Sequence, residues 1–301
     1  MEVLPITPRG YCAGVTRAIQ IAKETVMKYP NQKVYMLGMI VHNQHLVNAF
    51  SKLGIICLED QSSTRLELLD QIAEGVVIIT AHGASDAVFE KAKDKGLTIV
   101  DATCPDVEKT HDLVRNHVGN GDVIYIGKKN HPEAEGTVQL SNRVHLISKK
   151  EDLEALPELE NVLITTQTTL SILDTKDLIE ACLEKYPDAI CETEICNATR
   201  IRQEAVLKLE NIDTLFVVGD PSSNNATQLC RIGKDHGIPN TYLIQGPMEL
   251  NEDMLKNANR VAITSGSSTP TKLTQAVIDC ITSYAKENDF HQELIQIDSI
   301  L

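Results

Sequence analysis

Three cysteines recur at equal spacing along this chain of 301 residues. Cys12, Cys104 and Cys196 are separated by 92 residues and again by 92 residues. Three thiolates can hold zinc or an iron–sulfur cluster and leave one metal position open, where an iron acts as a Lewis acid toward a substrate oxygen. The spacing alone is equally compatible with cysteines packed in a core. The other five cysteines form no CxxC pair and no zinc-finger spacing with histidine.

Polar residues recur along the sequence at a similar spacing. Two sets are spaced in this way: His42, His131 and Asn225, by 89 and 94 residues, and His82, Thr168 and Ser268, by 86 and 100. Imidazoles, hydroxyls and amides donate hydrogen bonds, and turns into helices add backbone amides, so the sets predict an anion site. Ordinary turn chemistry is the alternative for the stretches SSNNA and GSSTP. The usual nucleotide-binding glycine loops are absent from the sequence.

The stretch NHPEAEG at 130–136 places the imidazole of His131 two residues before the carboxylate of Glu133. A histidine and a glutamate in a turn are usually solvated. Beside an anion site the same pair could bind a substrate and transfer a proton to it. The stretch taken alone leaves both interpretations open.

The elements that position these residues are short β-branched strands followed by helical segments. Seven runs have this character: VYMLG, VVIIT, TIV, VIYIG, VLITT, LFVVG and VAITSG, at 34–38, 76–80, 98–100, 123–127, 162–166, 215–219 and 261–266. Buried parallel strands have this composition. A helix is expected over 15–27, where apolar residues fall on one face. The alternation predicts an α/β fold, with ligand residues at the carboxyl ends of the strands.

The net charge and the distribution of apolar residues argue against several classes of function. A formal net charge of −14 argues against nucleic acid and anionic membranes as partners, since both need a basic face. The N-terminus lacks the features of a secretory signal, and no apolar run approaches a membrane span. We therefore expect a soluble cytoplasmic protein.

Eight stretches, in this order and over nearly the whole chain, closely resemble the 4-hydroxy-3-methylbut-2-enyl diphosphate reductases of the LytB/IspH family: PRGYCAGVTRAI, VHN, AHG, DATCP, HPEAEGT, TQTTLS, EICNATRIRQEAV and SGSSTP. The resemblance implies the last step of the non-mevalonate isoprenoid pathway. In that step a hydroxyl is removed reductively to give isopentenyl and dimethylallyl diphosphates. The implied fold is three similar α/β domains with parallel sheets, in pseudo-threefold arrangement around a central iron–sulfur cluster.

The resemblance also assigns residues. Cys12, Cys104 and Cys196 would ligate a 4Fe-4S cluster with one open iron, which binds the substrate oxygen. Thr168 would hydrogen-bond near the leaving hydroxyl, and Glu133 would supply protons. The residues that would hold the diphosphate are His42, His82, Ser223, Asn225 and Ser268, with His131 close to it; Thr168 counts as substrate-binding through its contact near the hydroxyl. Glu135 lies outside this chemistry in the motif, so Glu135→Gln is expected to reduce activity much less than Glu133→Gln.

One loop departs from the family pattern. Members often read Ser-Ser-Asn-Ser/Thr, whereas this chain reads Ser-Ser-Asn-Asn-Ala at 222–226. The register is ambiguous by one residue. We favour Ser223 and Asn225, because this choice needs no gap, and Asn224 is the fallback.

Domain boundaries follow from the step of 92 residues. The expected domains are 14–103, 104–193 and 194–285, the last completed by 1–13, with a C-terminal tail at 286–301. A ferredoxin- or flavodoxin-type electron donor is the implied protein partner. The rival function is an aconitase-type iron–sulfur hydro-lyase that acts on a phosphorylated substrate, which would consume no electrons.

Overall fold

The computed structural model describes residues 1–60, 62–292, 300 and 301, in which strands and helices alternate. The strands are β1 (Glu2–Pro5), β2 (Val34–Leu37), β3 (Ile55–Leu58), β4 (Val76–Ile79), β5 (Thr98–Asp101), β6 (Val123–Ile126), β7 (Val144–Ile147), β8 (Leu163–Thr166), β9 (Ile190–Cys191), β10 (Thr214–Val218), β11 (Asn240–Ile244) and β12 (Arg260–Ser265). The helices are α1 (Ala13–Lys28), α2 (Gln44–Lys52), α3 (Arg65–Leu68), α4 (Asp86–Asp94), α5 (Pro105–His117), α6 (Pro132–Val138), α7 (Lys150–Glu154), α8 (Ile172–Lys185), α9 (Asn197–Leu207), α10 (Asn224–Asp235) and α11 (Thr271–Glu287). Short 3₁₀ helices span Leu69–Gln71, Pro247–Glu249 and Glu252–Met254.

The strands form three parallel sheets of the same topology. Their strand orders are β3-β2-β4-β5, β7-β6-β8-β9 and β11-β10-β12-β1. In the third sheet, β1 takes the edge position that β5 and β9 occupy in the other two. Each sheet thus has two central strands, between which the direction of winding reverses. In open parallel sheets, ligands bind at the carboxyl ends of strands at such a reversal.

The described residues form two compact units. The first contains 1–16, 41–49 and 197–301, with the sheet that includes β1, and the second contains 17–40 and 50–196, with the other two sheets. The fold class expected from the sequence, three α/β units with parallel sheets, is therefore confirmed. The residue limits proposed above for three domains stay a prediction.

In the first unit, both faces of the sheet are covered. Phe216 and Val218 of β10 lie in a core with Val277 of α11, whereas Leu215 and Val217 belong to a core that includes residues of α10. The side chains alternate because successive strand residues point to opposite faces. Fully burying a side chain of this size contributes about 1.5–3 kcal/mol, so the two cores hold the sheet and its helices in place.

In the second unit, one packing arrangement bears directly on the site. Tyr125 of β6 is fully buried in a core with Val114 of α5 and Ala134 of α6. The opposite face of that sheet carries Ile124, which lies in a core with residues of α7 and α8. Packing on one face of one sheet therefore fixes both α5, which begins after Cys104, and α6, which carries Glu133.

The strands predicted from the sequence are all present, as is the helix expected over 15–27, which extends over Ala13–Lys28. Among the described residues, no helix combines the length and the apolar character needed to cross a lipid bilayer.

Candidate active site

The polar residues singled out in the sequence follow the central strands of the three sheets. The first set, His42, His131 and Asn225, lies beyond the carboxyl ends of β2, β6 and β10. The second set, His82, Thr168 and Ser268, lies beyond β4, β8 and β12. The spacing in the sequence thus has a structural cause, because the same two strand ends of each sheet carry the two sets.

Cys12, Cys104 and Cys196 each stand immediately before a helix. Cys12 precedes α1, Cys104 is the N-cap of α5, and Cys196 precedes α9. All three side chains are half-buried. The amino end of a helix favours negative charge, so each position suits a thiolate ligand.

The backbone of each cysteine is fixed to a loop of the second polar set. The Cys104 N–H donates to the carbonyl of Ala81, beside His82, at 3.0 Å. The Cys196 N–H donates to the carbonyl of Thr168, also at 3.0 Å. The Cys12 N–H donates to Ser267, beside Ser268, again at 3.0 Å. The backbone of each cysteine is therefore hydrogen-bonded directly to a loop that contains a predicted substrate-binding residue.

These observations fit a bound iron–sulfur cluster. Such clusters are held by cysteine thiolates on rigid backbone, and hydrogen-bonded loops keep a ligand in place before the metal binds. The three cysteine sulfurs are donors of the kind that bind iron in such clusters. Cys12 also accepts a hydrogen bond from the Val15 N–H at its sulfur, 3.5 Å away, an interaction that favours electron density on sulfur.

Glu133 lies deep in the second unit, where its carboxyl oxygens contact Thr168. Oε1 accepts the Thr168 N–H at 2.7 Å, and Oε2 accepts the Thr168 hydroxyl at 3.0 Å. Glu133 is 2% exposed. The structure thus brings together the two residues expected to be catalytic, 35 positions apart in the sequence.

Burial has the largest effect on the pKa of the Glu133 carboxyl. Loss of hydration raises the pKa of its carboxyl from 4.5 to about 7, although the two hydrogen bonds from Thr168 act in the opposite direction and Asp106 adds a small rise. A carboxyl with a pKa near 7 exchanges its proton close to neutral pH. Such a group suits general acid catalysis.

His131 is the N-cap of α6 and precedes Glu133 by two residues. Its Nδ1 accepts the Glu133 N–H at 3.2 Å, so the ring carries its proton on Nε2 when neutral. The ring of His82 lies edge-on to it, with centroids 5.4 Å apart. The second unit therefore brings His82 and His131 together next to Glu133.

An interaction that the sequence did not reveal fixes the start of α6. Arg65, only 5% exposed, donates to the Pro132 carbonyl at 3.3 Å and to the Thr80 hydroxyl at 3.3 Å. Its backbone N–H donates to Glu135 at 3.1 Å, and its guanidinium lies 3.8 Å from the same carboxylate. Glu135 therefore has a structural role, which the family motif did not indicate. A single arginine in the stretch TRLEL gives no signal of this contact.

In the first unit, Ser223, Asn225 and Ser268 lie in one network. Ser223 is the N-cap of α10, and its Oγ is 3.2 Å from the Ser268 Oγ. Asn225 accepts the Ser267 N–H at 2.9 Å and donates to the Thr199 hydroxyl at 3.2 Å. The amides at the start of a helix, together with two hydroxyls, suit a phosphate group. All three predicted residues are nearly buried.

Asn224, the alternative to Asn225 in the sequence, is the first residue of α10 and is 4% exposed. The contacts of Asn225 join α10 to the loop that carries Ser268. This geometry supports the register with Ser223 and Asn225, which stays a prediction.

His42 belongs to the same unit and has an acidic neighbour that the sequence did not reveal. Its carbonyl accepts the Ser268 hydroxyl at 3.4 Å. Asp220 accepts the Gln44 N–H at 3.0 Å and interacts electrostatically with His42. Burial, the largest influence, raises the pKa of Asp220, but hydrogen bonds from Ser222 and Gln44 outweigh it and the pKa is lowered. The structure thus places a carboxylate next to the imidazole of His42.

Comparison with known proteins agrees with these features. The LytB protein family model matches residues 3–282. The 4-hydroxy-3-methylbut-2-enyl diphosphate reductase of Brevibacillus brevis is 47% identical over 293 residues, which cover 96% of this chain and 94% of that protein. The protein of the same name from Macrococcus caseolyticus is 47% identical over 291 residues, which cover 94% and 90%.

Two solved structures share the fold. The E-1-hydroxy-2-methyl-but-2-enyl-4-diphosphate reductase from Plasmodium falciparum is 32% identical with a TM-score of 0.87, over 98% of this chain and 94% of that chain. A structure described as (E)-4-hydroxy-3-methyl-but-2-enyl diphosphate reductase, the terminal enzyme of the non-mevalonate pathway, is 33% identical with a TM-score of 0.65, over 94% and 100%. The chain therefore belongs to the LytB protein family.

Proposed function

We propose that this chain reduces (E)-4-hydroxy-3-methylbut-2-enyl diphosphate to isopentenyl diphosphate and dimethylallyl diphosphate, the last step of the non-mevalonate pathway. Two electrons and two protons replace a carbon–oxygen bond by a carbon–hydrogen bond and release water. The names of the relatives and the match over nearly the whole chain support this activity. The chain is accordingly an oxidoreductase and an iron–sulfur enzyme, as its family implies.

Cys12, Cys104 and Cys196 are the proposed ligands of a 4Fe-4S cluster with one open iron. When bound, the cluster supplies electrons one at a time and a Lewis acid for oxygen. The chain's own contribution is to hold three sulfurs at helix starts, with each backbone amide bonded to a loop that carries a substrate-binding residue. A ferredoxin- or flavodoxin-type protein is the proposed source of electrons.

Glu133 is the proposed proton source, and its contact with Thr168 is the observation that carries the assignment. The Thr168 hydroxyl lies 3.0 Å from Glu133 Oε2. A proton on that oxygen can pass through the hydroxyl to a substrate group held beyond it. Hydroxide is a poor leaving group, so a proton must reach the oxygen as its bond to carbon breaks.

The diphosphate is assigned to His42, His82, His131, Ser223, Asn225 and Ser268, with Asn224 as the alternative in the loop. Ser223 and Ser268 offer hydroxyls beside the first amides of α10. The positive end of α10 opposes the overall charge of −14, which would otherwise repel an anion.

A requirement for reductant tests this function against an aconitase-type hydro-lyase. Anaerobically purified protein with a full iron content is mixed with the substrate, with and without dithionite. Products should form only with the reductant. Turnover without it would contradict the proposal and favour the hydro-lyase, which the named relatives do not support.

A further inference from the structure

Three basic side chains occupy similar positions in the helices that follow the cysteines. Arg17 lies in α1, five residues after Cys12; Lys109 lies in α5, five residues after Cys104; Arg202 lies in α9, six residues after Cys196. Each side chain reaches a segment that directly precedes another of the three cysteines.

The first two contacts lie in the second unit. The Arg17 Nη1 donates to the Thr103 carbonyl at 2.8 Å, one residue before Cys104. The Lys109 Nζ lies 2.9 Å from Glu194 Oε2, two residues before Cys196. The Lys109 side chain is 68% exposed whereas that of Glu194 is only 9% exposed, so the ammonium compensates a carboxylate that is largely removed from water.

The third contact lies in the first unit. The Arg202 Nη2 donates to the Gly10 carbonyl at 2.9 Å, two residues before Cys12, and Nη1 donates to Ala198 within the helix at 2.8 Å. Arg202 is 3% exposed. In the order of the chain, the helix after each cysteine thus supports the segment before the next, and the helix after the last supports the segment before the first.

These contacts act on the part of the backbone that decides where each sulfur lies. The segment before a cysteine and the helix after it set the direction of its side chain. Hydrogen bonds one shell out from a metal ligand orient that ligand, and their loss usually weakens metal binding.

We infer that Arg17, Lys109 and Arg202 are positioning residues that hold the segments preceding the cluster ligands and thereby slow the loss of the cluster. The inference rests on the proposed function, because it requires Cys12, Cys104 and Cys196 to be the ligands.

The test measures retention of iron independently of turnover. Arg17→Met and Lys109→Met are reconstituted anaerobically, and the rate at which iron passes to a ferrous chelator is followed by absorbance. We expect release to be roughly 10-fold faster than in wild type, as for other changes one shell from a metal. Lys109→Arg and Arg17→Lys, which keep a donor, should restore slow release.

Controls separate positioning from general stability. Lys185→Met removes a lysine whose Nζ donates to the Leu153 carbonyl at 2.7 Å, a contact of the same kind away from the cysteines. Its iron release should match wild type. The unfolding midpoint of each apo-protein is measured as well. The Lys109 variant separates positioning from stability most clearly, because its side chain is exposed, whereas replacing the buried Arg202 would also remove packing.

The outcomes are distinct. Release as slow as wild type in Arg17→Met and Lys109→Met would overturn the inference, as would fast release fully explained by a lower apo-protein unfolding midpoint. Cys104→Ala is reconstituted in parallel. A normal cluster absorbance in that variant would show instead that the ligand assignment, and with it this part of the proposed function, is wrong.

Discussion

Glu133 is the residue for which geometry and acidity agree best. Its carboxyl is buried, contacts Thr168 through both oxygens, and has a pKa raised to about 7. We expect Glu133→Gln to bind substrate and cluster normally but to lower the rate of single-turnover reduction by ~10²- to 10⁴-fold, the usual contribution of general acid catalysis. Glutamine keeps the shape and the acceptor for the Thr168 N–H but has no proton to release. Dithionite-reduced protein, mixed rapidly with substrate, gives the rate.

The matched control is Glu184→Gln, which alters an exposed glutamate of α8. It should turn over at the wild-type rate. If Glu133→Gln with a full cluster also did so, the proton would have to come from another group, with His131 or a water held by Thr168 as the next candidates.

The raised pKa of Glu133 has a consequence for stability. The folded chain, with a pKa of about 7, binds this proton more tightly than the unfolded chain, with a pKa near 4.5. Stability is therefore lost as the pH rises through this interval, and the loss is complete above pH 7. Apo Glu133→Gln should be more stable than wild type at pH 8, by on the order of 3 kcal/mol, and the advantage should shrink toward pH 5. Denaturant unfolding at both values measures it; an equal difference at the two would contradict the assigned acidity.

At the scale of elements, α6 depends on a charge pair in which Arg65 is buried and Glu135 is partly exposed. Arg65 supports the helix start through the Pro132 carbonyl, and Glu135 balances its charge. Glu135→Gln should lower the free energy of unfolding by about 1–3 kcal/mol, less than for a fully buried pair because Glu135 is 26% exposed. Turnover should also fall, though less than in Glu133→Gln, because α6 carries the proton donor.

Unfolding curves and single-turnover rates of Glu135→Gln, measured beside Glu184→Gln, check this expectation. Identical stability in the two variants would show that water, and not Glu135, compensates the guanidinium. The expectation from the motif, that Glu135→Gln reduces activity much less than Glu133→Gln, stays a prediction.

How much of the fold could be predicted depended on where each element lies in its sheet. Central strands such as β4 and β10 are buried on both faces and read as continuous apolar runs, so the sequence shows them. Of the edge strands, only β5 was predicted. Among those missed, β9 has two residues, both exposed, and β11 is mostly half-buried. Their pairing is set by neighbours distant in the sequence, and the runs themselves lack a clear period.

Some residues of the candidate site could be predicted from the sequence and others could not. Cys104, Glu133 and Thr168 stand in short stretches that resemble a family, so their types and order were enough to single them out. Arg65 and Asp220 act through contacts made only in the folded chain, with Pro132 and with Gln44. A contact 67 residues apart leaves no local pattern, and for that reason the supporting residues could not be predicted.

At the scale of the whole molecule, one supersecondary unit occurs three times with the same strand order and the same placement of polar residues. The end of the first central strand carries His42, His131 or Asn225, and the end of the second carries His82, Thr168 or Ser268. Each sheet thus contributes one residue of each set and one nearby cysteine. Because each of the three α/β units carries its own members of these sets, the motifs are spread over nearly the entire sequence.

This distribution predicts that the substrate protects the cluster. If Cys12, Cys104 and Cys196 are the only ligands, as proposed, one iron would have no protein ligand and would be open to oxygen and solvent when substrate is absent. Ligand that binds only the intact form shifts the balance toward that form, by about 2.7 kcal/mol at a concentration 100-fold above its dissociation constant. We therefore expect the cluster absorbance to decay in air at least several-fold more slowly with saturating substrate.

Inorganic diphosphate, which can occupy only the anion groups, should protect less. The decay is followed in the visible region in both cases and without ligand. Equal rates in all three samples would contradict an open iron at the substrate site, whereas equal protection by diphosphate and substrate would mean that closure of the anion groups, and not occupation of the iron, excludes oxygen.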